Sequence, residues 1–304
     1  LDDLFNAGLD HDWALVGAGV FDFEKPGREK LKDQDWLTTV VEQDAGHKQA
    51  RVTGSMIDFI EPGDTEALIA KLADPTIRMV STTITEGGYF IDPATQQFNP
   101  QHPDIVADGK NPDRPKTVFG LILAGLKRRR AKGTQPFTVM CCDNIPHNGK
   151  VTADAVVGLA RLSDPEFADW IVEHVAFPNA MVDRITPATT DRERRFPAGR
   201  PALEKVGVQF VEDVSPFELM KIRILNGGHA VIAYPAGLMD IHFVHEAMEN
   251  DLVRRFLSKI ENEEIIPTVP PVPETNIDEY FALIERRFSN PTIGDTGRRL
   301  CRDG

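Results

Sequence analysis

Lys221, Asn226 and His229 stand in the run M-K-I-R-I-L-N-G-G-H-A, residues 220–230. At the α-helical period they fall at roughly 0°, 140° and 80° around the axis, on one broad face with His229 between the other two. Burial in an apolar helix disfavours the charged form of a lysine, and a lysine tuned down to about pKa 7–8 suits general-base work. An asparagine amide can hold a developing alkoxide, and a histidine can orient a hydroxyl or carbonyl. The alternative is a lysine that snorkels to solvent beside two side chains that cap neighbouring loops.

A second set lies in C-C-D-N-I-P-H-N-G, residues 141–149. It follows Phe137–Cys142, an apolar run that reads as a buried strand. In open α/β sheets ligands bind outside the carboxyl ends of strands, so Asn144 stands where an amide donor belongs. The alternative has Asp143 and Asn144 capping a helix that starts near Val151. A third set is Gly17-Ala18-Gly19-Val20 with Asp22 and Glu24 behind it. The third glycine of G-x-G-x-x-G would fall on Asp22, so that fingerprint fails. The run can instead end the second strand of a dinucleotide fold, where an acid accepts from adenosine ribose hydroxyls. The phosphate-binding turn would then lie upstream of Leu1. The alternative is a plain strand exit with solvated acids. Asp183-Arg184, in M-V-D-R-I-T-P, reads on its own as an ion pair.

The elements that must position these residues alternate in type. Leu1, Leu4 and Phe5 have helical spacing, with a stop at Asn6-Ala7-Gly8. That opening inside a helical pattern, and the end at Arg302-Asp303-Gly304, lead us to expect a longer protein. Strands are predicted over Trp13–Gly19, Asp33–Val41, Arg51–Phe59, Ile77–Thr85 and Phe137–Cys142. Helices are predicted over Thr65–Ala73 and Thr117–Lys132, the latter with a basic last turn that matches the helix dipole and faces solvent. Such alternation implies a largely parallel sheet covered on both faces. From Ser215 onward the pattern turns helical: Ser215 to about Ala233, Phe243–Lys259 and Asp278–Phe288, with a four-proline connector at Pro267–Pro273. The boundary is placed near Asp213, giving domains 1–213 and 214–304.

Composition bounds the function. The 304 residues carry 34 Lys+Arg and 47 Asp+Glu, a net charge of -13, which argues against a broad nucleic-acid face or an anionic membrane partner. No apolar run reaches the length of a membrane span. The three cysteines, Cys141, Cys142 and Cys301, give neither a disulfide framework nor zinc spacing, so a reducing cytoplasmic setting and no metal are expected.

Four stretches together carry a resemblance: C-D-N-I-P-H-N-G before Val151, F-P-N-A-M-V-D-R-I-T-P (177–187), K-V-G-V-Q-F (205–210) and K-I-R-I-L-N-G-G-H (221–229). With T-I-T-E-G-G-Y (83–89) and F-V-H-E (243–246), the chain resembles the polyol-specific long-chain dehydrogenase/reductase family along nearly its whole length. The resemblance implies an N-terminal Rossmann-type α/β domain, a mostly α-helical C-terminal domain, and a site in the cleft between them. It implies metal-independent hydride transfer between a polyol carbon and the nicotinamide of NAD, with D-mannitol and D-fructose as the favoured pair. Fructuronate, arabinitol and sorbitol stay open as substrates, as does a non-catalytic nucleotide binder.

On the family pattern, Lys221 is the base, Asn144 and Asn226 hold the alkoxide, and His229 completes the set. Asp183 and Arg299 (with Arg298 adjacent) contact substrate. Glu24, with Asp22 near it, meets the adenosine ribose, and an acid there favours NAD over NADP. The resemblance also implies a glycine-rich turn before Leu1, further residues between about Thr190 and Phe196, and a helical region with another substrate lysine after Gly304. A monomer is implied.

Overall fold

The computed structural model describes residues 1–44, 47–181 and 199–303. The chain divides into two compact units, residues 1–39 with 52–214 and residues 40–51 with 215–304.

The first unit opens with helix α1 (Asp2–Asn6), stopped where Gly8 takes a φ of +66°. Strand β1 (Leu15–Ala18) follows, then a short 3-10 turn over Asp22–Glu24 and helix α2 (Lys25–Lys32). Strands β2 (Thr38–Asp44) and β3 (His47–Thr53), most of which belong to the second unit, pair with each other, and β4 (Met56–Ile60) pairs in parallel with β1. Two predicted strands need correction. Residues 33–37 are not extended: Asp35 and Trp36 hold φ of 55° and 63° in a turn, and Trp36 lies under the Arg28 guanidinium. The stretch 51–59 is divided between β3 and β4, with Gly54-Ser55 at the break.

Helix α3 (Thr65–Ala73) starts where the Asp64 carboxylate accepts from Ala67 N, and it buries Leu68, Ile69, Leu72 and Ala73. Strand β5 (Met79–Thr82) is shorter than its predicted run and pairs in parallel with β6 (Thr138–Cys141). Between them lie α4 (Pro103–Lys110) and α5 (Val118–Ala131). Helices α6 (Asn148–Arg161) and α7 (Pro165–His174) complete the unit. The core gathers α3, α5, β6, α6 and α7 through Leu72, Phe119, Ile122, Phe137, Val156 and Ile171.

The Rossmann-type fold is present, but the expected continuous parallel sheet is not. Among the described residues, β1 pairs only with β4 and β5 only with β6. Each parallel pair therefore keeps an edge without a backbone partner among these residues.

The basic end of α5 also departs from its predicted solvated reading. Arg129 is fully buried. Its Nε donates to Leu72 O at 2.7 Å and one terminal nitrogen to Gln135 O at 2.6 Å, while the other donates to Asp74 O and Ile77 O. Burial pulls its pKa down from the ordinary arginine value. Arg128 instead pairs with Glu66 at the surface, at 2.7 Å on both nitrogens.

The second unit is helical from Ser215. Helix α8 (Ser215–Met220) runs into a π-helical turn, Lys221–Asn226, and on into α9 (Gly227–Leu238). The predicted helix over 243–259 is two, α10 (Val244–Glu249) and α11 (Asp251–Ile260), because Asn250 leaves the helical conformation and its side chain caps Leu252 N and Val253 N. A second π-helical turn, Glu261–Ile265, extends α11. Helices α12 (Ile277–Phe288) and α13 (Gly297–Asp303) follow the proline connector. Helices α10, α11 and α13 all pack on α9. No helix among the described residues is long and apolar enough to cross a membrane.

Candidate active site

In the first unit Glu24 lies at the carboxyl ends of β1 and β5, and Asn144 follows the carboxyl end of β6. A cleft of about 610 Å³ opens there, lined by Ala18, Glu24, Thr82, Thr85, Phe90 and Lys116 among others. Its position at strand ends is where an α/β sheet binds ligands. Lys116 is fixed through its backbone, which donates to the buried Asp108 carboxylate at 2.9 Å; Asp108 also takes Thr117 N and the Thr117 hydroxyl.

Glu24 sits half-buried at the cleft, and its Oε2 accepts from Phe21 N at 2.8 Å. A Cβ at Gly19 would stand 3.0 Å from that oxygen, so the glycine admits the carboxylate. Gly17 serves packing instead: a Cβ there would collide with the Phe59 ring of the paired strand. The backbone of Asp22 lies in the same 3-10 turn as Glu24.

Asn144 is exposed in the turn after β6. Asp143 does not cap the next helix, which starts at Asn148 with His147 at its N-cap, φ 52°, and no cap from the His147 side chain. That alternative is corrected by what Asp143 does. Its Oδ2 accepts from Ile84 N at 2.8 Å and from the Tyr89 hydroxyl at 2.5 Å, and its Oδ1 from Thr85 N at 3.1 Å. The Tyr89 hydroxyl, fully buried, also meets Cys141 Sγ at 2.8 Å. Burial first, and then the hydrogen bond to Asp143, push the Tyr89 pKa far up. Burial also pushes the Cys142 thiol up to about 11, so it stays protonated.

Asp143 thereby clamps the T-I-T-E-G-G-Y loop against the C-D-N turn. The loop stores strain: Thr85 holds φ 62° and ψ 162°, a region β-branched residues avoid, at a cost of about 1–3 kcal/mol. From the other side, the buried Asn148 amide donates to Asp143 O at 3.0 Å and to Ala180 O at 2.5 Å, and its oxygen accepts from Ala180 N at 2.9 Å. Asn144 therefore projects from a turn held at both ends. Asp143 and Asn148 were missed as site residues because their partners are tens of residues away in sequence; the quoted motifs contain both.

In the second unit, Lys221 is 3% exposed, Asn226 is exposed and His229 is half-buried. The α-helical angles predicted for them do not hold, because Lys221–Asn226 is a π-helical turn. A turn closed by i→i+5 hydrogen bonds stacks residues five apart, as an α turn stacks residues four apart. Lys221 and Asn226 are five apart, so the wider turn brings them closer together on that face than a regular helix would.

His229 stacks tilted on Phe288, ring centroids 4.8 Å apart. Arg299 forms a two-pronged pair with Asp295 at 2.7 and 2.6 Å. The Arg299 guanidinium holds the Asp295 carboxyl below its usual range, against the opposing effect of burial, and His229 adds a smaller pull the same way. Asp295, another residue missed in the sequence, thus links two predicted ones; its place four residues before Arg299 was the available signal. Glu218, buried one turn before Lys221, was also missed. Asp183 lies outside the described residues. Among the described residues, no three His, Cys, Asp or Glu side chains cluster as a metal site requires.

Comparison with known proteins adds to this geometry. Residues 4–216 match the family model described as the mannitol dehydrogenase Rossmann domain, and residues 213–304 match that of the mannitol dehydrogenase C-terminal domain. The chain is 55% identical to a mannitol 2-dehydrogenase of Cereibacter sphaeroides, over all of this chain and 69% of that protein. It is 42% identical to the mannitol 2-dehydrogenase of Neosartorya fischeri, over 95% of this chain and 64% of that one. Among solved structures it is similar to Pseudomonas fluorescens mannitol 2-dehydrogenase in ternary complex with NAD and D-mannitol. The TM-score is 0.87 at 42% identity, covering 98% of this chain and 67% of that one. It is also similar to a D-sorbitol dehydrogenase in substrate-free form, with TM-score 0.85 and 38% identity, covering 95% and 66%. The chain spans about two thirds of the length of these relatives.

Proposed function

Since the chain belongs to the mannitol dehydrogenase family, we propose that it serves an NAD-dependent oxidoreductase that interconverts D-mannitol and D-fructose. The observation that carries this reading is the buried Lys221 one π-helical turn before Asn226. Residues 1–213 are the dinucleotide-binding domain in this reading, and residues 214–304 the catalytic one.

The residues at the strand ends fit a dinucleotide. The second Glu24 oxygen can accept from the ribose hydroxyls, Asp22 being the second acid assigned to the cofactor in this reading, and a carboxylate there repels a 2′-phosphate, which favours NAD over NADP. The about 610 Å³ cleft beside Glu24 is in the size range of small-molecule sites. Bound there, NAD would supply the hydride acceptor, nicotinamide C4.

The chain's own residues do the rest. Lys221 takes the proton from the reacting hydroxyl as the carbon gives up its hydride. Asn226 and Asn144 donate to the oxygen on which negative charge develops, and it ends as the ketone oxygen. His229, held between Phe288 and the Asp295 charge, orients the hydroxyl. Arg299 and Asp183 bind the outer hydroxyls. No residue in this scheme calls on a metal. The resemblance further supports a monomer, and the cysteine content supports a cytoplasmic setting.

The test is NADH formation from D-mannitol with and without a chelator, with sorbitol, arabinitol and mannonate in parallel. Mannitol-dependent turnover that survives chelation is expected. Turnover with sorbitol alone moves the substrate to that of the D-sorbitol dehydrogenase relative; turnover with none of the four, despite NADH binding, overturns the reading.

A further inference from the structure

Glu261 is the one acid on the second unit's helices that combines full burial with two carboxylate oxygens lacking any hydrogen-bond partner among the described residues. It opens the π-helical turn Glu261–Ile265, which packs against the π-helical turn carrying Lys221 and Asn226. Its Oε1 lies 3.0 Å from where a Cβ would stand on Gly228, the residue between Asn226 and His229 in the sequence after Gly227. The Phe288 ring that stacks on His229 lies at the same 3.0 Å from that position. Gly228 is thus the space into which this carboxyl fits.

Resting on the function proposed above, we propose that Glu261 is a positioning residue for the catalytic turn: its protonated carboxyl, seated against Gly228, holds Asn226 and His229 in register with Lys221, and its ionisation releases them.

A neutral carboxyl can sit in an apolar seat, whereas a carboxylate without donors must draw in water or move away, and the backbone it rests on, Gly228 at the start of α9, joins Asn226 to His229. Burial first, and then the Glu285 carboxylate, push the Glu261 carboxyl up to about 8. The charged groups on the surrounding elements are Lys221 and Arg223 on the packed π-helical turn, His229 on α9, Asp278, Glu279, Glu285, Arg286 and Arg287 on α12, and Asp251, Arg254, Arg255 and Lys259 on α11. Glu263 and Glu264 on its own turn are exposed. Glu285 is itself pushed up by burial, with Arg254 opposing.

The experiment compares kcat for mannitol oxidation in wild type and Glu261→Gln, full chain with NAD saturating, from pH 6 to 10. The amide stays neutral throughout. The ratio of variant to wild-type kcat should rise about tenfold between pH 7 and 9, following one ionisation. A purely structural role would leave that ratio flat with pH, and a flat ratio overturns the proposal. Gly228→Ala is the second variant: its methyl pushes the carboxyl off its seat, so kcat should fall at pH 7 with NAD affinity kept. Unchanged kcat in Gly228→Ala also overturns it. Absence of mannitol turnover in wild type instead defeats the function proposed above. In that case melting temperature against pH decides this inference: the ionisation is supported if wild type loses stability relative to Glu261→Gln between about pH 5 and 8, and refuted if the two curves run parallel.

Discussion

The strand-end turn of the first unit and the two π-helical turns of the second, which pack on each other, each hold an acid, and they treat it in opposite ways. Asp143 takes three donors, from Ile84 N, Thr85 N and the Tyr89 hydroxyl, and through them fixes a strained loop. Glu261 takes none. A carboxylate supplied with donors pins whatever it touches; one left without them must keep a proton or move its surroundings. The first arrangement suits a rigid floor for a cofactor, the second a turn whose placement depends on proton concentration.

The sharpest way to break this comparison is at Lys221. Lys221→Ala should lower mannitol oxidation by about 10²–10⁴-fold while NADH binding, read by titration calorimetry, stays. Loss of binding as well would mean that the two units do not divide the work as proposed.

Next in size is Arg129→Met. It strips four backbone carbonyls of their donor, and urea unfolding should show a loss of about 3 kcal/mol or more. A loss under about 1 kcal/mol would show that water replaces the guanidinium.

The paired test is Asp143→Asn against Glu261→Gln at pH 8. The first puts an amide N–H opposite existing donors and should cost about 1–3 kcal/mol. The second removes a carboxyl whose raised folded-state pKa makes wild type lose stability as pH climbs from the unfolded value to about 8, so it should cost nothing there. Equal losses would erase the contrast. The smallest effect is expected from Arg299→Lys, within about 1 kcal/mol of wild type in stability, because the Arg299 side chain is largely exposed. Its signature should be a raised KM for the polyol.

Much of the fold was legible where a side chain announces a helix start. Asp64 and Thr117 stand at the caps of α3 and α5, and both helices follow their apolar spacing closely. The failures have local causes. Trp36 and Leu37 have strand-like composition, but Asp35 and Trp36 turn the chain with positive φ, which residue type alone does not reveal at these positions. Asn250-Asp251 was a readable cap that the apolar run around it concealed. Of the site, the chemistry-bearing residues were visible and their supports were not. The period used for Lys221 and Asn226 assumed a regular helix, and a π-helical turn leaves no periodic trace in six residues. Asp143 reaches partners 54 to 59 positions away, and the contact between Glu261 and Gly228 likewise depends on packing. Spacing finds neighbours along one helix; it is silent about neighbours brought together by the fold.

Arg129 has a consequence for how the chain reaches that fold. Three of its four acceptors, at Leu72, Asp74 and Ile77, lie 52 to 57 residues earlier in the chain, at the exit of α3 and the entry to β5. The guanidinium keeps its charge, so any collapse that buries α5 out of register shuts a naked cation into the core at a cost of several kcal/mol. Only the correct crossing of α5 over α3 meets it with carbonyls. One side chain thus proofreads the docking of two helices, rejecting near-misses that hydrophobic contact alone would accept.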